Sequence, residues 1–365
     1  MKGRGPETGT SIGGMRAAVF RAPHRLEVID LPEPVPGRAG VVVRVAACGI
    51  CGSDLHTFHE GAFVAPGQVM GHEFAGEVVA VGPETVGIAV GDRLTAQPIL
   101  SCGRCPRCVE GNGHLCETAL AASIAYGLPG AFADFVAIPD AVPGKSVHLL
   151  PPDLSLEHAA LVEPLAVALH AVSLGAPGAA DTAVVLGLGC IGQFVVQALK
   201  ARGAARVIGV DVSTLRLELA AAGGADVVVD ARVEDPLAAI QRLLGVGAYG
   251  LGSRADLVFE CSGVPALLGE AVQMVRQGGK VLVTALYGAP VPLDATAIMQ
   301  KELDVHGTFA YRGEFADAIE LLRSGRVLAG PLISHRFPLE QVQAAFEAQL
   351  DRDHSLKVVV HPGER

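Results

Sequence analysis

The stretch Thr182-Ala-Val-Val-Leu-Gly-Leu-Gly-Cys-Ile-Gly192 decides the fold. Thr182 to Leu186 carries no charge and reads as a buried strand, and Gly187, Gly189 and Gly192 follow at the spacing of a turn that opens a helix. In such a turn the first glycine permits the tight bend and the second lets the backbone approach a pyrophosphate. The third lets the helix pack close to the strand, and Cys190 and Ile191 lie between them. The pyrophosphate would sit at the positive end of the helix dipole. Asp211 ends the next apolar run, where a carboxylate accepts hydrogen bonds from the ribose hydroxyls and repels a 2′-phosphate. The stretch therefore predicts a dinucleotide site that prefers NAD to NADP. Arg216 is placed to reach the adenosine end. Phe259-Glu-Cys-Ser-Gly263 ends a later strand, which makes Cys261 and Ser262 candidate neighbours of the nicotinamide half.

Around this stretch, strands alternate with helices. A helical segment, Ser155 to Leu174, precedes it, and apolar runs recur at Arg206 to Val210, Asp226 to Val229, Ala255 to Glu260 and Lys280 to Ala285. All-apolar strands in that alternation predict an α/β unit with a doubly wound parallel sheet covered on both faces. From Arg16 to Pro152 the texture differs: short apolar runs such as Gly40 to Ala46 and Phe74 to Val81, broken by Gly, Pro and Asp, read as an antiparallel, barrel-like β domain. The tail Leu356-Lys-Val-Val-Val-His361 is expected to return to that first domain, making it discontinuous. The expected division is a flexible polar extension at 1–14, one domain at 15–165 and 300–365, and the other at 166–299. A length of 365 residues suits two domains.

Composition narrows the function. Half of the residues are hydrophobic, which excludes a disordered chain, and a net charge of -10 without a basic cluster excludes a nucleic-acid partner. There is no run of about 18 apolar residues to span a membrane and no apolar core of a secretory signal near the start. A cytoplasmic location is expected, in which the eight cysteines stay reduced.

Four of those cysteines stand in Ser101-Cys-Gly-Arg-Cys-Pro-Arg-Cys-Val-Glu-Gly-Asn-Gly-His-Leu-Cys116. Thiolates at Cys102, Cys105, Cys108 and Cys116 can fold back into a tetrahedral sulfur set, the closed arrangement of a structural zinc site. A disulfide framework is the alternative, although two-residue spacings suit chelation better than paired bridges. A second polar island contains Cys48-Gly-Ile-Cys51-Gly-Ser-Asp-Leu-His56 and Gly71-His72-Glu73, followed later by Val162-Glu163-Pro164. A catalytic zinc takes three protein ligands of mixed type and leaves one position open, and Cys51, His72 and one glutamate supply such a set. Each of these residues alone would more often be a buried thiol or a surface charge.

These motifs together, with Val90-Gly-Asp-Arg93, resemble the zinc-dependent medium-chain dehydrogenase superfamily from Met15 to the carboxyl end. The resemblance implies a GroES-like β-barrel catalytic domain, a Rossmann coenzyme domain, an active site in the cleft between them, two zinc ions per chain, and NAD. It implies Cys51 and His72 as catalytic zinc ligands and Glu163 as the acidic ligand or water-binding group. Glu73 is similar to a residue that alternates between binding the metal and standing behind it. Ser53 would hydrogen-bond the alcohol oxygen and pass its proton outward, with His56 as the outer end of that relay. Cys48 is a packing thiol, and the lobe 98–120 is a staple held by the four-cysteine zinc.

The run Glu163-Pro-Leu-Ala-Val-Ala-Leu-His170 looks more like the butanediol and sorbitol branches than the ethanol branch, so a small secondary alcohol, diol or polyol is the expected substrate. Ala310 stands where sorbitol-type enzymes carry an arginine, which argues against a long sugar alcohol. Phe58, His59, Tyr126 and Phe132 are candidate pocket walls. Threonine-type or secondary-metabolite alcohol oxidation is the alternative within the class, and a non-catalytic zinc and NAD binder is the alternative outside it. The resemblance suggests a dimer or tetramer.

Overall fold

The computed structural model describes residues 13–363. Strands β1 (Gly14–Ala22) and β2 (Arg25–Pro32) pair as an antiparallel hairpin. The extension expected at 1–14 lies largely outside the described residues, and its last residue, Gly14, already opens β1. Strands β3 (Val41–Gly49), β4 (Glu73–Val81), β5 (Arg93–Ala96), β6 (Phe135–Ile138) and β7 (Val147–Leu149) belong to a mainly antiparallel sheet. Its inward face is Val41, Val43, Val45, Phe74, Val78 and Leu94, the apolar half of an alternation in which Arg44 and Glu77 face out.

The second sheet contains β8 (Thr182–Leu186), β9 (Arg206–Asp211), β10 (Val227–Asp230), β11 (Ala255–Glu260), β12 (Val275–Val283) and β13 (Asp304–Gly307). All its pairings are parallel, in the order β10-β9-β8-β11-β12-β13. The order reverses between β8 and β9, which run outward on one side, and β11 to β13 on the other, and a crevice opens at the carboxyl ends of the strands there. Strand β14 (Ile333–Pro338) pairs in parallel with β15 (Lys357–His361), and β15 lies antiparallel to β3, so the tail re-enters the first sheet. The boundary expected at residue 300 is displaced. Strand β13 extends the parallel sheet through Gly307 because its register runs from Asp304 against Lys280 to Gly307 against Val283.

One helix joins the two halves. Val162–Gly175 is apolar nearly all round, and its residues share one core with Ala47 and Ala75 of the first sheet and with Ala183, Phe259 and Leu282 of the second. A helix hydrophobic on every side is one buried between layers. Pro164 is tolerated because it stands in the first turn, where its missing N–H has no partner to lose. Glu163, beside it, is thereby held at the seam between the domains.

Candidate active site

Cys51 is the N-cap of the helix Gly52–Glu60, which begins where β3 ends and stops at Gly61 with φ +70°. Asp54 accepts the Cys51 backbone N–H at 3.0 Å, fixing the cap. Gly71, at φ +90°, turns the chain so that His72 and Glu73 enter β4 beside that cap, and a Cβ on Gly71 would stand 2.8 Å from the Cys48 sulfur. Donor atoms of Cys51, His72 and Glu73 thus come within 4.8 Å of one another, with His72 and Glu73 buried. His72 Nδ1 lies 3.8 Å from Asp54 and has no hydrogen-bond partner. Burial, with the Glu73 charge adding to it, pushes the Cys51 thiol well above its usual range. A thiol so placed ionises only beside a cation, and a mixed Cys, His and carboxylate set fits zinc.

The two glutamates differ. Glu73 accepts both of its close bonds from Lys357 Nζ, at 2.7 and 2.9 Å, in an ion pair that is almost fully buried. Lys357 also donates to the Ile50 carbonyl at 2.8 Å. Glu163 is not within the 4.8 Å cluster. Burial raises its carboxyl to about 7, against the pull of His72. A carboxyl near neutrality beside Cys51 and His72 can hold or release a proton at physiological pH. Ser53 accepts a hydrogen bond from the Tyr126 hydroxyl at 2.8 Å, and the Tyr126 ring lies 5.6 Å from that of His72. His56 pairs with Glu60 at 3.3 Å.

In the lobe, Cys102, Cys105, Cys108 and Cys116 bring their sulfurs within 4.8 Å of one another. None is in a disulfide. Backbone N–H groups already point at the sulfurs, from Cys102 to Cys116 Sγ at 3.3 Å and from Cys105 to Cys102 Sγ at 3.4 Å. Burial opposes ionisation of Cys116, yet the Thr118 hydroxyl and the backbone donors bring its thiol down to about 6. Four converging sulfurs with donors prearranged for thiolates fit a closed zinc site.

The glycine turn has a different geometry at each glycine. Gly187 has φ +86°, and a Cβ there would meet Ser262 at 2.6 Å. At Gly192 a Cβ would stand 1.9 Å from the Gly187 carbonyl oxygen, whereas at Gly189 it would meet nothing within 4 Å. The turn is therefore closed on the protein side and open on the side a pyrophosphate would occupy. Asp211 ends β9 and accepts from the backbone N–H of Leu188, Val212 and Ser213 at 2.6, 2.7 and 2.9 Å. A single cavity of about 630 Å³ runs from Cys51, His56, His59 and Glu73 to Gly187, Gly189, Cys190, Ile191 and Asp211, with Arg216, Cys261, Ser262 and Lys357 also on its walls. Arg216 crosses between the domains, donating to the Ser355 carbonyl at 3.2 Å while its Nε, buried, has no partner.

Two candidate pocket walls stand elsewhere. Phe58 and Phe132 are each 1% exposed and pack on Phe346 in the core of the first domain. His59 lines the cavity, and Tyr126 stands behind Ser53. Arg312 points away from the cleft and donates to the Gly111 carbonyl at 2.9 Å. Two residues not singled out in the sequence belong to the site: Asp54 behind His72 and Lys357 on Glu73. For Lys357 there was a signal, a lone charge in the otherwise apolar Leu356-Lys-Val-Val-Val.

The sequence matches the family described as zinc-binding dehydrogenase over residues 190–324 and the alcohol dehydrogenase GroES-like domain over 37–151. It is 35% identical to a sorbitol dehydrogenase of Bacillus subtilis, covering 97% of this chain and 99% of that one. Among solved structures, the 2R,3R-butanediol dehydrogenase of Bacillus subtilis superposes with a TM-score of 0.84 at 32% identity, over 96% of this chain and 100% of that one. A structure from Sinorhizobium meliloti 1021, assigned to the zinc-binding dehydrogenases and bound to NADP, gives a TM-score of 0.86 at 32% identity with the same coverage.

Proposed function

Since the chain belongs to the family of zinc-binding dehydrogenases with a GroES-like domain, we propose that it oxidises a secondary alcohol, diol or polyol with NAD as hydride acceptor. The observation that carries this reading is the single cavity that opens on Cys51 and Glu73 at one end and on the glycine turn and Asp211 at the other. Alcohol carbon and nicotinamide ring can meet there with the reacting oxygen at the metal donors. Cys51, His72 and one of Glu73 and Glu163 would hold the catalytic zinc, which as a Lewis acid favours the deprotonated alcohol.

The chain's own residues do the rest. Ser53, whose oxygen also takes the Tyr126 hydrogen bond, would accept the proton that the alcohol releases while its own hydroxyl proton passes outward towards His56 on the cavity wall. Asp54 keeps the cap that aims Cys51, and Lys357 holds Glu73 in place as an anion. Asp211 lines the cavity where the adenosine ribose would sit, and its carboxylate supports NAD over NADP, while Cys261 and Ser262 line the same cavity. Cys102, Cys105, Cys108 and Cys116 would hold a second, structural zinc.

The reading extends to a cytoplasmic homo-oligomer, a dimer or tetramer, which light scattering tests. Among the described residues no helix is long and apolar enough to cross a membrane. The decisive experiment screens diols, sugar alcohols and amino alcohols for NAD reduction, with zinc analysis alongside. Turnover of a vicinal diol or short polyol with two zinc ions per chain is expected. Cys51→Ser should lower kcat by about a thousandfold or more while NADH binding, followed by fluorescence, stays within about twofold. Undiminished turnover in metal-free buffer would remove the zinc mechanism, and a higher kcat/KM with NADP would reverse the cofactor assignment.

A further inference from the structure

Three side-chain contacts tie the lobe to the short segment 311–314, between β13 and the helix Phe315–Arg323, and to His170, which Glu314 of that segment holds. At the root of the lobe, the Ile99 backbone N–H donates to the Tyr311 hydroxyl at 3.3 Å. At its tip, the Gly111 carbonyl accepts from Arg312 Nε at 2.9 Å. Between the two, the His114 ring meets that of His170 edge-on at 5.1 Å, and His114 Nδ1 is buried without a partner.

Glu314 gathers these contacts. One carboxylate oxygen takes the His170 Nδ1 contact at 2.9 Å, and the other accepts the backbone N–H groups of Arg312 and Gly313 at 2.6 and 2.7 Å. His170 stands seven residues after Glu163 in one helix, two turns along and on the same face. Tyr311, 2% exposed, packs its ring on Phe315 at 4.8 Å, in the core that the Glu163 helix shares with both sheets. A charged acceptor holding two consecutive amides fixes that backbone much more firmly than packing of an exposed loop does. The helix that delivers Glu163 and the segment 311–314 are thus clasped by one carboxylate, and the lobe braces the clasp from outside.

We propose that Glu314 is a positioning residue through which the four-cysteine lobe sets the place of the helix that carries Glu163 in the alcohol site, so that an intact lobe is required for substrate binding as well as for stability. The proposal rests on the dehydrogenase reading for the words "alcohol site", but the coupling itself does not depend on it.

The test compares full-length wild type, Arg312→Ala, Glu314→Ala and Glu314→Gln, each zinc-loaded, with full-length Cys116→Ser, which removes one lobe ligand. Arg312 is exposed, so its variant should fold normally. Hydrogen exchange of the Arg312 and Gly313 amides is the first readout. Exchange should quicken by about tenfold in Glu314→Ala, Arg312→Ala and Cys116→Ser, while the amides of β8, paired on both sides in the parallel sheet, stay protected. The second readout uses the best substrate of the panel. KM for the alcohol should rise by about tenfold in Arg312→Ala and Glu314→Ala, with kcat within about threefold and the NADH dissociation constant unchanged. Glu314→Gln keeps an acceptor for the two amides and should recover most of the KM. Unchanged exchange at 312 and 313 in Cys116→Ser would overturn the coupling. A lowered thermal midpoint with wild-type KM in Arg312→Ala and Glu314→Ala would reduce Glu314 to a structural residue. If no alcohol is turned over, the dehydrogenase reading fails while the exchange measurements still decide the coupling.

Discussion

Lys357 and Glu73 illustrate what a single buried charge does here. Their side chains are 4% and 1% exposed and lie 2.7 Å apart. Each ion would be costly to bury alone, and their attraction offsets that cost only while both are present. Lys357→Met should therefore destabilise the protein by about 3–5 kcal/mol, because it strands the Glu73 carboxylate. The double variant Lys357→Met/Glu73→Gln should recover a large part of that loss in chemical denaturation, and strictly additive losses would mean that the pair is not the unit. At this scale the sequence was only half legible. The four lobe cysteines are named by spacing, because metal chelation imposes short intervals, whereas Cys51 and His72, 21 residues apart, are implied by the family resemblance. Lys357 lies 284 residues from Glu73, and nothing local announces a partner at that distance.

At the scale of elements, the turn after β8 separates binding from folding. A methyl on Gly189 meets no protein atom within 4 Å, whereas one on Gly192 would stand 1.9 Å from a backbone oxygen. Gly189→Ala should leave the thermal midpoint of the cofactor-free protein nearly unchanged and weaken NADH binding by about tenfold or more, since the methyl occupies the pyrophosphate side. Gly192→Ala should lower stability by roughly 1–3 kcal/mol and weaken NADH binding as well, because helix and strand must part. Equal midpoints for the two variants would refute this division. The elements themselves were readable from apolar period and glycine punctuation, and β11 has the expected ends. The end of the second domain was not, because β13 is a four-residue edge strand, Asp-Val-His-Gly, with two charged or polar positions and a glycine. Its membership comes from pairing with β12, a tertiary contact that leaves little mark on composition.

Across the whole molecule, the joint between the sheets gives a pH dependence whose sign can be worked out. Burial tends to raise the Glu314 carboxyl, but the His170 bond and the Gly313 and Arg312 amides outweigh it and bring the group from 4.5 down to about 2. A carboxyl depressed on folding stabilises the native state at pH values above its unfolded value and loses that contribution as pH falls towards the folded one. The stabilisation from Glu314 is therefore complete above about pH 4.5 and fades between there and pH 2. With allowance for its partial contact with solvent, removing the charge should cost roughly 1–2 kcal/mol at neutral pH. Glu314→Gln should accordingly melt below wild type at pH 7, and the gap should narrow steadily below pH 4.5 as the wild-type carboxylate takes up its proton. A gap that stays constant from pH 7 to pH 3 would mean that the carboxylate charge contributes nothing and that only the shape of the side chain matters. Because Glu314 clasps the helix that runs between both sheets, this one titration is read in the unfolding of the entire chain rather than in a local loop.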